Sequence, residues 1–211
     1  MIKLKRIVFL LLITLFFSCN SVDELQIKTG DIVFRGMTKS ELSQAINDVT
    51  QTEIKTNYTH MGVCEVVGEK VFVYHADLGK GVVKESLNDF LASESDSEYV
   101  ADLYRINKDG MVNFKSIIKE ANDLIGNEYN TTYILEDDGY YCSEYVYELF
   151  KKDSVFELEP MTFKDPKTNN FHKGWIEHYQ KLGIDIPEGK LGCNPNVMAS
   201  SETIRFVKNI Q

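Results

Sequence analysis

The stretch DDGYYCSEYVYELF, residues 137–150, places a cysteine where a turn passes into a helix. Its Asp-Gly pair predicts the turn, and the apolar residues that follow recur at helical spacing. Cys142 therefore lies at, or one turn inside, a helix N-terminus, where unpaired N–H groups and the helix dipole stabilise a thiolate. The same spacing is also typical of an inert cysteine on a buried helix face, so a catalytic role needs a base from elsewhere.

A histidine-bearing hairpin supplies candidates for that base. The stretch THMGVCEVVGEKVFVYHA, residues 59–76, predicts two strands joined by a short turn. With a two-residue loop, Gly62 lies opposite His75, and His60 lies one diagonal step away on the same face. The two imidazoles can then contact each other, as a base and the group that orients it do in a cysteine triad.

Strand parity separates the alternatives on this hairpin. Glu65 is an odd number of residues from His60, so an unbulged strand directs its side chain to the opposite face. A three-residue loop would reverse the prediction for His75. Cys64 shares the parity of His60, but a mid-strand thiol has no helix dipole, and we interpret it as a core residue.

Several motifs occur in an order that resembles a known enzyme family. They are GDIVF (30–34), LSQAI (42–46), THMGV (59–63), NEYNTTY (127–133) and YYCSEYVYELF (140–150). Together they resemble the permuted papain-like amidases of the YaeF/YiiX type, relatives of the NlpC-type cell-wall peptidases and of lecithin retinol acyltransferase. The resemblance implies an α+β, circularly permuted papain-like (NlpC-like) fold with an antiparallel sheet packed against the nucleophile-bearing helix.

The resemblance also implies the roles of three residues. Cys142 is expected to be the nucleophile and His60 the general base, with the base-bearing strand first in the chain, the reverse of papain's order. The third, orienting position carries a glutamate before an alanine in many relatives, whereas this chain has His75 before Ala76. Histidine serves that role in the NlpC and acyltransferase branches, so His75 is the expected third residue.

The N-terminus has the pattern of a lipoprotein signal. Three cations in the first six residues precede an apolar run at residues 7–17, and Ser18-Cys19 follows. The run is shorter than the roughly 20 residues of a comfortable transmembrane span. Because Phe16 and Phe17 replace the smaller residues usual before the cysteine, a plain cleaved signal or an uncleaved anchor is the alternative. We expect lipidation of Cys19, which would hold the protein to a membrane of the cell envelope, and we divide the chain into a signal (1–18), a tether (19–28) and a hydrolase domain (29–211).

Composition agrees with one globular domain and excludes some partners. A hydrophobic fraction of 43% with 12 Phe and 11 Tyr allows a substantial core. The formal charge of −9 excludes the basic footprint that nucleic acid requires. Beyond Cys19 three cysteines remain, an odd number that cannot form a complete disulfide framework.

The sequence offers no motif for a metal or another cofactor. No CxxC or HExxH spacing is present, so we expect no metal site and no cofactor. We interpret His172 and His178 as surface residues of a helix, without a functional role. Cys193, in a predicted turn, is not expected to be catalytic.

The remaining segments predict a few regular elements. A capping-box pattern at residues 38–41 predicts a helix to residue 49, a strand is expected near residues 98–105, and a helix at residues 113–125. Beyond residue 150 four prolines predict irregular loops that border the cleft rather than fill the core.

These features predict an exported, membrane-tethered cysteine hydrolase that cleaves an amide bond through an acyl-enzyme. The polar segment after residue 150 favours a polar, peptide-like substrate in a solvent-accessible cleft with an acidic rim, and the expected envelope location makes cell-wall peptides one candidate. The sequence leaves two alternatives open. One is a hydrolase or transferase of lipid acyl groups, and the other is a catalytically silent binding lipoprotein on the same scaffold.

Overall fold

A central antiparallel sheet organises the chain. The computed structural model describes residues 26–36, 40–92, 100–107, 110 and 112–211. Within them, the six-stranded sheet has the order β4-β3-β2-β1-β5-β8, and β6 pairs with β7 separately. The strands are β1 Ile32–Gly36, β2 His60–Val67, β3 Lys70–Asp77, β4 Gly81–Ser86, β5 Val100–Ile106, β6 Glu159–Pro160, β7 Leu191–Gly192 and β8 Ile204–Asn209.

Six α-helices cover the sheet and its ends in the described part of the chain. They are α1 Glu41–Val49, α2 Leu87–Leu91, α3 Phe114–Asp123, α4 Cys142–Phe150, α5 Lys173–Leu182 and α6 Pro195–Ala199. The predicted helix to residue 49 is confirmed, but Ser40 caps it by accepting from the Ser43 N–H at 2.9 Å. Residues 38 and 39 of the predicted capping box lie outside the described residues, as do the predicted signal, Cys19 and the tether through residue 25.

The predicted hairpin of β2 and β3 forms with a two-residue turn. Val67 pairs with Lys70, and Gly68 adopts a positive φ of 61° in the turn. The register places His60 and His75 on one face, as parity requires. Strand β2 lies between β1 and β3, and its first residue, His60, is directly opposite Arg35 of β1.

The two faces of the sheet bury different clusters. One face packs on α4 and holds the main core, to which Tyr145, Val146 and Leu149 contribute. The other face holds a smaller cluster that includes Cys64 and Phe90 of α2. Helix α4 and the histidine pair therefore approach one another from different faces, at the end of the sheet where β2 begins.

Gly62 allows β3 to pack closely beside the histidine pair. A Cβ at this position would lie 2.5 Å from Val73 Cγ1, 2.8 Å from Tyr74 O and 3.1 Å from His75 Cβ. We expect Gly62→Ala to lower the free energy of unfolding by about 1–3 kcal/mol, because an added methyl in a packed site forces the backbone apart. Urea unfolding checks this, with Gly68→Asn as the control. That turn position is open, and Asn tolerates its positive φ. Equal stability of Gly62→Ala and the native protein would contradict the prediction.

The segment beyond residue 150 is more regular than its prolines predicted. It contributes α5, α6 and the sheet strand β8, and it buries Phe163, Trp175 and Tyr179 in the main core. The prediction of loops outside the core was therefore wrong for much of this segment. Pro195 occupies the first turn of α6, where its missing N–H costs nothing, and Pro160 lies in a two-residue strand.

No helix within the described residues is both long enough and apolar enough to cross a membrane.

Candidate active site

Cys142 is the first residue of α4, as predicted, and it is also buried. Its side chain is 5% exposed, and its sulfur lies 3.9 Å from the carbonyl oxygen of Thr59. The helix start is held by Glu144, whose carboxylate accepts hydrogen bonds from the Tyr141 N–H at 3.1 Å and the Asn130 amide at 3.2 Å. The thiol is therefore fixed against the backbone at the beginning of β2.

The two hairpin histidines contact each other as strand parity predicted. His60 Nε2 lies 2.8 Å from His75 Nδ1, and the ring planes are nearly perpendicular, at 85°. His75 is fully buried. Within the described residues no hydrogen bond joins Cys142 to His60. Instead, the sulfur contacts Thr59, the residue before His60. Hydrogen bonds between catalytic groups, such as a thiol and an imidazole, are often long in unliganded enzymes and tighten when substrate binds.

Glu85 extends the histidine pair and was missed in the sequence. His75 Nε2 lies 3.1 Å from Glu85 Oε2, and the Lys80 ammonium donates to Glu85 Oε1 at 2.7 Å. Strand β4 places Glu85 opposite Val73, one diagonal step from His75 on the same face. The signal that would have found it is GKGVVKES, residues 79–86, a glycine-bounded run able to form a second hairpin with β3.

The surroundings of the histidines favour neutral imidazoles. Phe90 stacks on His60 with ring centroids 5.5 Å apart, and it contacts His75 edge-on at 4.9 Å. Burial lowers the pKa of His60 well below its ordinary value, and the positive charges of Arg35 and Lys80 add to the effect. Burial also lowers the pKa of His75, against the opposing pull of Asp77 and Glu85. Both rings are therefore able to accept a proton at neutral pH.

The thiol of Cys142 is not a preformed thiolate. Burial raises its pKa to about 11, although N–H groups of Ser143 and Met61 and the charge of Arg35 partly offset this. The expectation that the helix terminus lowers this pKa was therefore wrong for the unliganded protein, because desolvation outweighs the helix dipole. A neutral thiol beside neutral imidazoles requires proton transfer during attack rather than before it.

Alkylation kinetics check this protonation state. We expect iodoacetamide to modify Cys142 before Cys193, whose pKa burial raises to about 12, and before Cys64, whose pKa lies higher still. Because the thiolate is the reactive form, the Cys142 rate should rise about tenfold per pH unit from pH 6 to pH 9. Peptide mass spectrometry gives the rate for each cysteine. A plateau below pH 8, or equal rates at all three thiols, would contradict the prediction.

Two cavities meet at the site, and each contains one of the two reacting residues. The first, about 180 Å³, contains Cys142 but not His60, and we call it the aromatic chamber. The second, about 640 Å³, contains His60 but not Cys142, and we call it the polar chamber. They share walls formed by Ile46, Thr59 and two tyrosines, Tyr129 and Tyr133.

The linings of the chambers differ in chemistry. Tyr133, Phe163 and Trp175 form a packed aromatic wall in the first, with Tyr133–Trp175 and Phe163–Trp175 centroids 5.2 and 5.0 Å apart. The charged residues of this chamber are exposed acids, Glu157 and Glu159. The polar chamber is lined by ionisable side chains, namely Arg35, His60, Asp77, Lys80, Glu85 and Asp89. The expected acidic rim is present, but the aromatic interior was not predicted.

The other candidate residues lie apart from this chemistry. His172 caps α5 by accepting from the Gly174 N–H at 3.2 Å, and His178 Nε2 donates to Thr131 O at 2.7 Å. Both histidines are partly buried and support the structure, so their prediction as plain surface residues was wrong. The three cysteines of the described chain are free thiols. Cys64 is a core residue, whereas Cys193 lines the aromatic chamber and contacts Tyr141.

Comparisons with known proteins agree on the fold. A family model of permuted papain-like amidase enzymes, YaeF/YiiX, matches residues 26–208. The uncharacterized protein YiiX of Escherichia coli is 29% identical over 128 residues, an alignment covering 60% of this chain and 58% of that protein. A crystal structure of yiiX from Escherichia coli, described as a metalloprotein, matches with a TM-score of 0.68 at 23% identity and covers 87% of this chain and 97% of that chain. The predicted antiparallel-sheet fold is confirmed.

The residues of this site do not form a metal-binding set. His75 uses both ring nitrogens, one toward His60 and one toward Glu85. Among the residues that the structure describes, no group of three or more His, Cys, Asp and Glu side chains is placed to hold an ion.

Proposed function

Because the chain belongs to the permuted papain-like amidase family of the YaeF/YiiX type, we propose that it is a cysteine hydrolase with Cys142 as nucleophile and His60 as general base. One observation carries the proposal. A buried thiol at the first residue of a helix contacts the carbonyl of Thr59, the residue before His60, and His60 in turn contacts His75. This order of thiol, imidazole and second imidazole supports the roles of nucleophile, base and orienting group.

The reaction follows from the neutral state of the thiol and the imidazole. As Cys142 Sγ attacks the substrate carbonyl carbon, His60 takes the thiol proton, and N–H groups at the start of α4 stabilise the oxyanion. The tetrahedral intermediate then breaks its C–N bond, and the leaving amine receives the proton from His60. A water molecule, deprotonated by His60, attacks the thioester that remains. This step releases a carboxylic acid and restores the thiol.

The two chambers favour a substrate with unlike ends. The acyl group stays on the sulfur, so the chamber that contains Cys142 suits the acyl side, whereas the amine departs with a proton from His60 and leaves through the polar chamber. Aromatic walls stabilise apolar groups, and the ionisable lining of the other chamber suits a polar amine. We therefore propose a substrate with an apolar acyl group joined to a polar amine. The apolar acyl side differs from the polar, peptide-like substrate that the sequence favoured.

A pair of reversed amides tests this assignment. Phenylacetyl-glycine carries its ring on the acyl side and its carboxylate on the amine side, and the isomeric N-benzylmalonamic acid carries them the other way round. We expect kcat/KM to be at least about tenfold higher for the first, the scale of one apolar group placed in a matching pocket. Equal rates for the two amides would contradict the chamber assignment. If neither amide and no short peptide is cleaved, the proposed amidase activity itself is contradicted.

Matched variants separate the two chambers. Val197→Phe narrows the aromatic chamber and should raise KM selectively for large acyl groups. Ser43→Phe narrows the polar chamber and should raise KM selectively for large amines. Release of an acyl chain from a phospholipid ester, dependent on Cys142 and with all amides left intact, would favour the lipid acyl hydrolase instead. The aromatic chamber makes that function the second candidate.

We further propose that the protein is exported and lipid-anchored at Cys19, supported by the charged and apolar pattern of residues 1–18. Cells fed an alkyne-labelled fatty acid should label the native protein, and Cys19→Ala should abolish the label and release the protein from the membrane fraction. Unchanged membrane association of Cys19→Ala would favour an uncleaved anchor.

A further inference from the structure

The geometry points to Glu85 as a positioning residue that sets the tautomers of both imidazoles and thereby leaves Nδ1 of His60 as the basic nitrogen. This inference rests on the proposed role of His60. It concerns a residue two strands away from the base, which touches neither the thiol nor the site of attack.

The first step is the tautomer of His75. A neutral imidazole carries one N–H donor and one acceptor nitrogen, and both nitrogens of this fully buried ring are engaged. An ionised carboxylate only accepts hydrogen bonds. Because Glu85 faces Nε2, that nitrogen of His75 must carry the proton, and Nδ1 must be the acceptor.

The second step is the tautomer of His60. Its Nε2 lies 2.8 Å from His75 Nδ1, which is an acceptor, so His60 Nε2 carries the proton and donates. The lone pair of His60 is then on Nδ1. Within the described residues this nitrogen has no hydrogen-bond partner. It is the nitrogen available to take a proton from a thiol.

Lys80 keeps Glu85 in the form that this arrangement needs. The ammonium lies 2.7 Å from Glu85 Oε1 and 3.3 Å from Asp77 Oδ2. Burial raises the pKa of Glu85, but hydrogen bonds from Lys80 and His75 outweigh it and hold the pKa below its ordinary value. Lys80 also fixes which oxygen faces His75.

That contact makes the isosteric variant Glu85→Gln informative. Glutamine has a single oxygen, and Lys80 can only donate, so the oxygen would turn to Lys80 and the amide NH₂ to His75. The amide would donate to His75 Nε2, and both tautomers would reverse, which leaves His60 Nδ1 protonated and unable to act as a base. Replacing Lys80 as well, in Glu85→Gln/Lys80→Met, frees the oxygen to face His75 and should restore the native tautomers.

The chain contains a matched control on the opposite face of the sheet. Glu65 accepts a hydrogen bond from the Tyr74 hydroxyl at 3.0 Å and from Lys84 at 2.7 Å, a similar carboxylate arrangement away from the imidazoles. Glu65→Gln removes a comparable charge with no imidazole beside it. Any general effect of losing a sheet carboxylate should appear in both variants.

The test combines histidine NMR with kinetics. In protein labelled with ¹⁵N-histidine, long-range ¹H–¹⁵N spectra report the protonated nitrogen of each of the four rings. We expect Nε2–H on His60 and His75 in the native protein and in Glu65→Gln, Nδ1–H on both in Glu85→Gln, and Nε2–H again in the double variant. The kcat of Glu85→Gln on a cleaved amide should fall about 10²–10³-fold, within the range for loss of a general base, with KM nearly unchanged.

Native tautomers in Glu85→Gln would overturn the inference, whatever happens to activity. A loss of activity shared equally with Glu65→Gln, or not relieved in the double variant, would also overturn it. Because the spectra need no substrate, a native protein that cleaves no amide would contradict the proposed function and leave the tautomer test intact.

Discussion

We expect Cys142→Ala to abolish amide cleavage, with kcat/KM at least about 10⁴-fold below that of the native protein, the scale seen when a nucleophile is removed from a catalytic unit. The reason is that no other thiol of the described chain is the first residue of a helix. Cys64 lies in the core cluster of the opposite sheet face from α4, and Cys193 lies on a separate segment.

The control for this variant is Cys64→Ala, which removes another buried thiol, located in β2. We expect it to retain activity within about threefold and to lose about 1 kcal/mol of stability, the cost of a small cavity. Product release is measured by liquid chromatography with circular dichroism as a check on folding. Substantial activity in folded Cys142→Ala would contradict the assignment of the nucleophile.

We expect His60→Ala to lower kcat about 10³-fold and to alter the pH dependence, because it removes the group proposed to accept the thiol proton. In that role His60 must be neutral. Since burial, together with the charges of Arg35 and Lys80 and the adjacent His75, lowers the pKa of His60, the neutral form persists as pH falls past 6.5. Native activity should therefore be retained at pH 6 and decline only at lower pH.

A profile of kcat/KM from pH 4.5 to 8 measures this decline at low pH, and Glu65→Gln provides the reference variant. In His60→Ala the decline caused by protonation of His60 should be absent. The remaining rate should rise with the thiolate fraction of Cys142. A native profile that falls at or above pH 6.5 would contradict the buried, neutral base.

The parts of the site that depend on local backbone geometry could be predicted from the sequence. A two-residue turn and strand parity correctly predicted the contact between His60 and His75, and the Asp-Gly turn predicted the start of α4 at Cys142. Both predictions depend on backbone geometry within a single hairpin or helix. Glu85 was missed because its contact with His75 depends on the register between β3 and β4, which form a second hairpin.

Other properties depend on residues that are distant in the chain. The aromatic chamber combines Tyr133, Phe163 and Trp175 from separate segments, so no local pattern reveals it. The raised pKa of Cys142 has the same origin, because the helix start is visible in sequence whereas the desolvation that opposes it comes from tertiary packing. Prolines beyond residue 150 also misled the prediction, since two of them occupy places in a helix start and a short strand.

We propose that the acyl group of an amide passes through Cys142. Mass spectrometry of the protein, quenched in acid during turnover of an amide with an aromatic acyl group, detects such an acyl-enzyme. We expect a mass increase equal to the acyl group less the displaced hydrogen, located on the peptide that contains Cys142, absent from Cys142→Ala and formed more slowly in His60→Ala. Product formation with no adduct on Cys142, or an adduct on Cys64 or Cys193 instead, would contradict an acyl-enzyme at Cys142.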